Sequence, residues 1–171
     1  MRRRIHARAQ DPLDKYDEVW GFSEEGIAAA KLITKEGESV WGAVTRDGKV
    51  IVPFEYDDIG NFGGGVTWVR LNNKYGFVNN KGRRIVPLQY DDIGSPLEDL
   101  GGFPDTYLPV KLDYKWGLVN TKGEEVLSPE YDREIINQIP RACHLLAYKL
   151  NISKEEAIEM VLKEMEEGAG L

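Results

Sequence analysis

A single cysteine, Cys143, stands among 171 residues, so no disulfide can close within the chain. A CxxC redox pair and a thiolate metal cluster are excluded with it. Histidine is almost as scarce: His6 and His144 lie at opposite ends. A metal site would therefore have to be mostly carboxylate, and a Ser-His-Asp arrangement would have to recruit one of those two rings. Long apolar runs are missing too. Nothing approaches the roughly 20 residues of a membrane span, and "MRRRIHARAQ" has charge without an apolar stretch behind it, so it does not read as a secretory signal. The expected location is cytoplasmic. Phosphate-cradling motifs are absent as well: "GNFGGG" (60–65) lacks the Lys-Ser/Thr and the helix that should follow.

Positive charge is confined to one end. The net charge is −7, yet Arg2, Arg3, Arg4 and Arg8 contribute +4 before the first acid, Asp11, which leaves −11 on residues 11 to 171. Such a body repels nucleic-acid phosphate, whose binding is driven by cationic side chains that release counterions. Neither nucleic acid nor membrane is an expected partner. Residues 1–15 read as a flexible basic leader. The hydrophobic fraction of 42% is enough for a packed core.

What the chain has instead is a repeat. Trp41-Gly42, Tyr75-Gly76 and Trp116-Gly117 are each followed six residues later by a second glycine: Gly48, Gly82 and Gly123. Eight residues beyond come Tyr56-Asp57, Tyr90-Asp91 and Tyr131-Asp132. The aromatic-to-aromatic intervals, 41 to 75 and 75 to 116, differ in length, but every insertion falls outside this module. Two β-rich runs around a glycine turn make a β-hairpin, and a changed turn length would slip its register. Pro53 and Pro87 are expected to end the second strand, because proline cannot donate to a ladder. The third copy has Ser128 and then Pro129, so its strand is expected to run slightly longer. A further strand precedes each hairpin: "GIAAAKLI" (26–33), "GVTWVRL" (65–71) and "TYLPVKL" (106–112). The expected fold is mainly β, an array of antiparallel three-stranded units over 16–132.

These residues resemble the WG (KWG) repeat of bacterial proteins, with its aromatic-Gly, turn glycine, "viP", "YD" and "F-x-x-G-x-A" elements. "FSEEGIAAAKL" (22–32) is similar to the last element and "FGGGVTWVRL" (62–71) follows it more loosely. In the third unit the insert "SPLEDLGGFPDT" displaces it, and Tyr16-Asp17 looks like the tail of a copy without its hairpin. The resemblance implies a β-repeat scaffold and no particular activity.

Residues 133–171 change character and read as an α-helical hairpin that caps the last β-unit. "REIINQI" (133–139) suggests a short helix, and "PRACHLLAYKL" (140–150) a second with Pro140 in its first turn. Ser153-x-x-Glu156 is a capping box. Behind it Ile158, Val161, Leu162 and Met165 form one stripe, Glu159 and Lys163 an i, i+4 pair, and Gly168 a stop. The rival use of this hairpin is to dock a partner.

The repeat residues invite chemistry and decline it. Trp41, Tyr75 and Trp116 could stack on a sugar, but a repeated aromatic beside a strand glycine is expected to pack between units. The doublets Asp57-Asp58 and Asp91-Asp92 could collect a cation or serve hydrolysis, but an aspartate at a strand exit more commonly bonds local backbone amides. Cys143 and His144 point about 100° apart on a helix and do not face each other. No catalytic residue, metal site or cofactor is expected. Recognition is expected on the insert, at Leu97, Glu98, Asp99, Phe103 and Asp105, and on exposed rims around Trp20, Phe22, Phe62 and Trp68. The reading is a non-enzymatic protein–protein interaction module, an adaptor, subunit or inhibitor whose acidic face meets a basic partner. The alternatives are a carbohydrate- or cell-wall-binding module using the aromatics and a carboxylate-based metal-dependent hydrolase.

Overall fold

The computed structural model describes residues 11–94, 107–139 and 150–168. The expected helix over 140–150, with Cys143 and His144, lies outside them apart from Leu150, which is helical. The strands are β1 Glu18–Val19, β2 Ile27–Ile33, β3 Ser39–Thr45, β4 Val50–Tyr56, β5 Asp58–Ile59, β6 Val66–Leu71, β7 Lys74–Asn79, β8 Arg84–Tyr90, β9 Asp92–Ile93, β10 Tyr107–Leu112, β11 Lys115–Asn120 and β12 Glu125–Tyr131. Among the described residues the later helical segments are α1 over 133–139 and α2 over Lys154–Gly168, besides Leu150.

The strands form three four-stranded sheets, ordered β1-β2-β3-β4, β5-β6-β7-β8 and β9-β10-β11-β12. The expected three strands are present in each. A fourth comes from the two residues that begin at or just after the Tyr-Asp aspartate, which pair with the strand beyond: Glu18 opposite Lys31, Asp58 opposite Arg70, Asp92 opposite Lys111. The chain divides into two compact units, Met1–Asn72 with Val78–Arg84 and Asn73–Phe77 with Ile85–Leu171.

In the first unit "IAAAKLI" is a strand despite the helical preference of alanine. Ala28, Ala29 and Ala30 are at most 1% exposed, so both faces of β2 are covered and packing overrides propensity. Ala43, Val44, Val52, Tyr56, Ile59 and Val69 complete this core. Residues 11–15 belong to the fold rather than to a flexible leader. They form a turn closed by Asp14 N–H to Asp11 O, and Lys15 Nζ donates to Gly48 O at 3.2 Å.

The prolines do not end their strands. Pro53, Pro87 and Pro129 lie inside β4, β8 and β12, each seven residues long, so the third copy is no longer than the others. The reason is a bulge. Trp41 stands opposite Tyr56 but Ala43 opposite Val52, so β4 carries extra residues there, and β12 repeats the pattern with Trp116 opposite Tyr131 and Leu118 opposite Leu127. A bulge leaves backbone groups unpaired, which is where a residue without an N–H costs nothing. The aromatic-Gly glycine faces this bulge: a Cβ at Gly42 or Gly76 would sit 2.6 Å from the carbonyl oxygen of Val52 or Val86.

In the second unit the helices pack on the last sheet. Tyr107, Leu118 and Leu127 share a buried cluster with Ile136 and Ile139 of α1 and with Ala157, Ile158 and Val161 of α2. Burying each large aliphatic side chain is worth about 1.5–3 kcal/mol, well above the few tenths of a kcal/mol from a helical ion pair. Packing therefore holds α2 in place. The capping box forms as expected: Ser153 N–H donates to Glu156 Oε2 at 2.8 Å, and Glu156 N–H to Ser153 Oγ at 3.2 Å. Of the expected stripe, Ile158 and Val161 are buried and Leu162 half-buried, while the Met165 side chain lies outside the described residues. Lys163 reaches Glu167 at 4.0 Å, one turn on from the expected Glu159.

The turn glycines do two things at once. Gly48, Gly82 and Gly123 have φ of 76°, 76° and 87°. A Cβ at Gly82 or Gly123 would also overlap the carbonyl oxygen of Ile51 or Ile85, at the same strand position one repeat earlier, and Gly48 meets Pro12 in the same way. Gly37 has a φ of 84° with open space around it. Gly37→Ala should cost only the backbone term of about 1–2 kcal/mol, and Gly82→Ala distinctly more. Melting temperatures check this, at about 2–4 °C per kcal/mol for a chain of this size; equal shifts would remove the stacking role.

Candidate functional site

The Tyr-Asp aspartates reach further than the expected local turn. Asp17 Oδ2 accepts the amide of Ile33 at 2.6 Å, Asp57 Oδ2 that of Asn72 at 2.8 Å, and Asp91 Oδ2 that of Asp113 at 3.0 Å. Each carboxylate thus holds the chain where it leaves β2, β6 or β10. The second aspartate of each doublet does bond locally, Asp58 to the amide of Ile59 and Asp92 to that of Ile93.

The other oxygen of the first aspartate takes a lysine. Lys74 Nζ donates to Asp91 Oδ1 at 2.5 Å and Lys115 Nζ to Asp132 Oδ1 at 2.8 Å, each across seventeen residues of the same module. The lysine immediately precedes the aromatic-Gly pair, and Val40 fills that position in the first copy. The Lys74 ammonium, and after it the Asp113 amide, hold the Asp91 carboxyl below its ordinary range. This pairing was readable from the lysine-to-aspartate spacing and was missed.

The repeat aromatics are only partly in the core, Trp116 packing against the cluster that α1 and α2 build. Trp41, Tyr75 and Trp116 are half-buried, whereas Tyr56 and Tyr90 of the Tyr-Asp pairs are 3% and 2% exposed. The reason is the sheet register, which sets each indole among charged side chains. Trp41 stands opposite Lys31, whose Nζ lies 5.5 Å from the ring, and Arg133 lies 3.9 Å from the centre of Trp116. Tyr56 is held differently: its hydroxyl accepts from Arg84 at 3.1 Å.

The expected rim residues are engaged by different partners. Trp20 tilts against Trp41 at 4.8 Å and donates its Nε1 to Glu18 at 2.8 Å. Lys31, ahead of Trp20, holds the Glu18 carboxyl below its ordinary range. Phe22 carries Arg46 4.5 Å above its ring, and Trp68 covers Gly60, where a Cβ would overlap the indole. Phe62 is not on an exposed rim: it is buried at 8% exposure, an apolar side chain the core retains. Leu97, Glu98, Asp99, Phe103 and Asp105 lie outside the described residues. Among the described residues no three His, Cys, Asp or Glu side chains converge as a metal-ligand group, and no helix is long and apolar enough to cross a membrane.

On α2, Glu156, Glu159, Met160 and Lys163 join Ile152 around a shallow groove of about 330 Å3. Met160 stands about 200° round the helix from the buried Ile158 and is 39% exposed.

A family model described as the WG containing repeat matches residues 13–32, 41–75, 75–116 and 116–133, and the chain belongs to that family. No curated protein matches it.

Because the Asp91 carboxyl is depressed in the folded state, its stabilisation is complete above the ordinary carboxylate pKa of about 4 and is lost as pH falls through the lower folded value. The melting-temperature gap between the parent and Asp91→Asn should stay constant above about pH 5 and close on acidification. A gap that widens in acid would mean the aspartate is not the anchor of Lys74 and Asp113.

Proposed function

We propose that the protein is a non-enzymatic interaction module that binds a protein partner with a basic surface. The observation that carries this reading is the use of the repeat's chemistry-bearing side chains. Asp57 and Asp91 hold turns, Asp58 pairs with Arg70 at 3.4 Å, and Asp91 and Asp132 bind lysines. Carboxylates committed to amides and ammonium groups inside a scaffold are poor bases and poor metal ligands. The charge of −11 on residues 11 to 171 supports a basic partner, since opposite potentials steer encounter. Outside the scaffold bonds, the groove on α2 offers exposed Met160 and the half-buried Ile152 beside Glu159. Methionine beside acids is a surface that adapts to a cationic, partly apolar segment.

The half-buried indoles support a second, carbohydrate-binding reading: Trp20 and Trp41 sit side by side with the polar ends of Glu18 and Lys31 next to them. The two readings separate in one set of measurements. Affinity purification with the full chain, identification of the retained protein and titration at two salt concentrations should give a basic partner whose affinity falls with salt. Glu159→Lys should slow its association several-fold. A salt-indifferent partner, or one that binds Glu159→Lys equally fast, removes the proposal. Saturable quenching of tryptophan fluorescence by a cell-wall oligosaccharide, lost in Trp41→Ala, would favour the second reading.

A further inference from the structure

The third sheet differs from the others in how its strand cation is neutralised. In the first, Lys31 stands opposite Glu18 and pairs with it at 2.9 Å. In the second, Arg70 stands opposite Asp58 and pairs at 3.4 Å. In the third, Lys111 stands between Asp92 and Trp116 in register, yet its Nζ lies 5.8 Å from the Tyr114 ring and 5.9 Å from the Trp116 ring. It forms no ion pair with a described residue.

A second cation joins it. Arg133 follows Tyr131-Asp132 where Asp58 and Asp92 follow the earlier Tyr-Asp pairs. Its guanidinium lies 3.9 Å from the centre of Trp116, and its Nη1 is buried with no hydrogen-bond partner among the described residues. Asp91 binds Lys74 and the Asp113 amide and feels the Lys111 charge only at a distance, Asp132 binds Lys115, and Asp92 accepts the Ile93 amide with one oxygen without pairing with Lys111. Two cations thus share one indole, and among the described residues neither forms an ion pair.

Tyr114 adds an aromatic surface that folding does not explain. It is 88% exposed, in a two-residue turn with Asp113 at φ 49° and Tyr114 at φ 69°. The matching turn of the second sheet is Asn72-Asn73, at φ 52° and 60°. Asparagine tolerates this conformation and a bulky ring does not, so turn chemistry selects against tyrosine here. Burial does not select for it either.

We propose that Lys111, Tyr114, Trp116 and Arg133 form a contact surface for an acidic peptide segment of a partner protein. Lys111 takes its carboxylate, the Arg133 guanidinium with its buried Nη1 adds positive charge beside it, and the Tyr114 ring takes the aliphatic carbon next to that carboxylate. Tyrosine, tryptophan and arginine are the residue types that dominate binding energy at protein contacts. A free carboxylate would gain little at an open turn tip, whereas an extended segment spans both charges and the ring. The surface is opposite in sign to the acidic face considered above and does not depend on it.

The test is an NMR titration of the isotope-labelled full chain with a blocked decapeptide of alternating Glu and Ala, and with the Gln/Ala peptide as a neutral control. Saturable shifts confined to residues 110–117 and 133–135, seen with the Glu peptide alone and weakened by salt, support the surface. Lys111→Gln should weaken binding up to about fivefold. Tyr114→Asn should weaken it while leaving the melting temperature equal or higher. The proposal is overturned by an absence of saturable shifts, by equal shifts with the Gln peptide, or by both variants binding like the parent. A Tyr114→Asn chain that melts lower would overturn it too, by giving the ring a structural role. None of these results bears on the basic partner, which is measured separately.

Discussion

Each sheet of this protein is completed by strands from two consecutive copies of the repeat, and the rest of the structure depends on that sharing. The family's repeat begins at the aromatic-Gly pair, but the sheets begin at or just after the Tyr-Asp pair before it, so sequence repeat and sheet are out of phase. β1 and β2 come from one copy and β3 and β4 from the next; β9 and β10 likewise join β11 and β12. A single copy would expose half a ladder of unpaired backbone groups, which is costly. The Tyr-Asp aspartate secures this exchange by gripping the turn of the following sheet, and the turn glycine secures it again by lying on the backbone of the preceding copy.

Arrays of this kind need their ends covered. At the start, Pro12 lies where Ile51 and Ile85 lie for later turns, and the Tyr16 hydroxyl donates to Gly48 O at 3.1 Å. The Tyr16 ring also stacks on Phe54 at 5.2 Å. At the far end Val126, the residue in register with Ile51 and Ile85, is packed against the cluster built by α1 and α2. Helices substitute for a further copy because an amphipathic stripe can cover a sheet without extending its ladder.

The charged side chains divide into those the scaffold uses and those it leaves. Lys74, Lys115 and Arg70 are matched by aspartates in their own sheets. Exposed pairs of this kind contribute little to stability individually, so their main effect is to fix geometry and leave a predominantly acidic surface. Lys111 and Arg133 are set on aromatic rings, where cation–π attraction holds them without neutralising them.

The sequence by itself determined the repeat, its hairpins, the preceding strands and the capping box of α2, because these follow from period-two patterning, positive-φ glycine and cap chemistry over a few residues. Tyr16 as a tail, Ile158 and Val161 as an inner stripe, and the scaffold role of Asp57 and Asp91 were legible at that range. Only tertiary structure decided the rest. It placed Pro53 in a bulge rather than at a strand end, sent Asp91 to the Asp113 amide twenty-two residues away, buried Phe62 and half-exposed Trp41. Those outcomes depend on bulges and on which side chains meet across strands and copies, and such packing is not given by the pattern of any single strand.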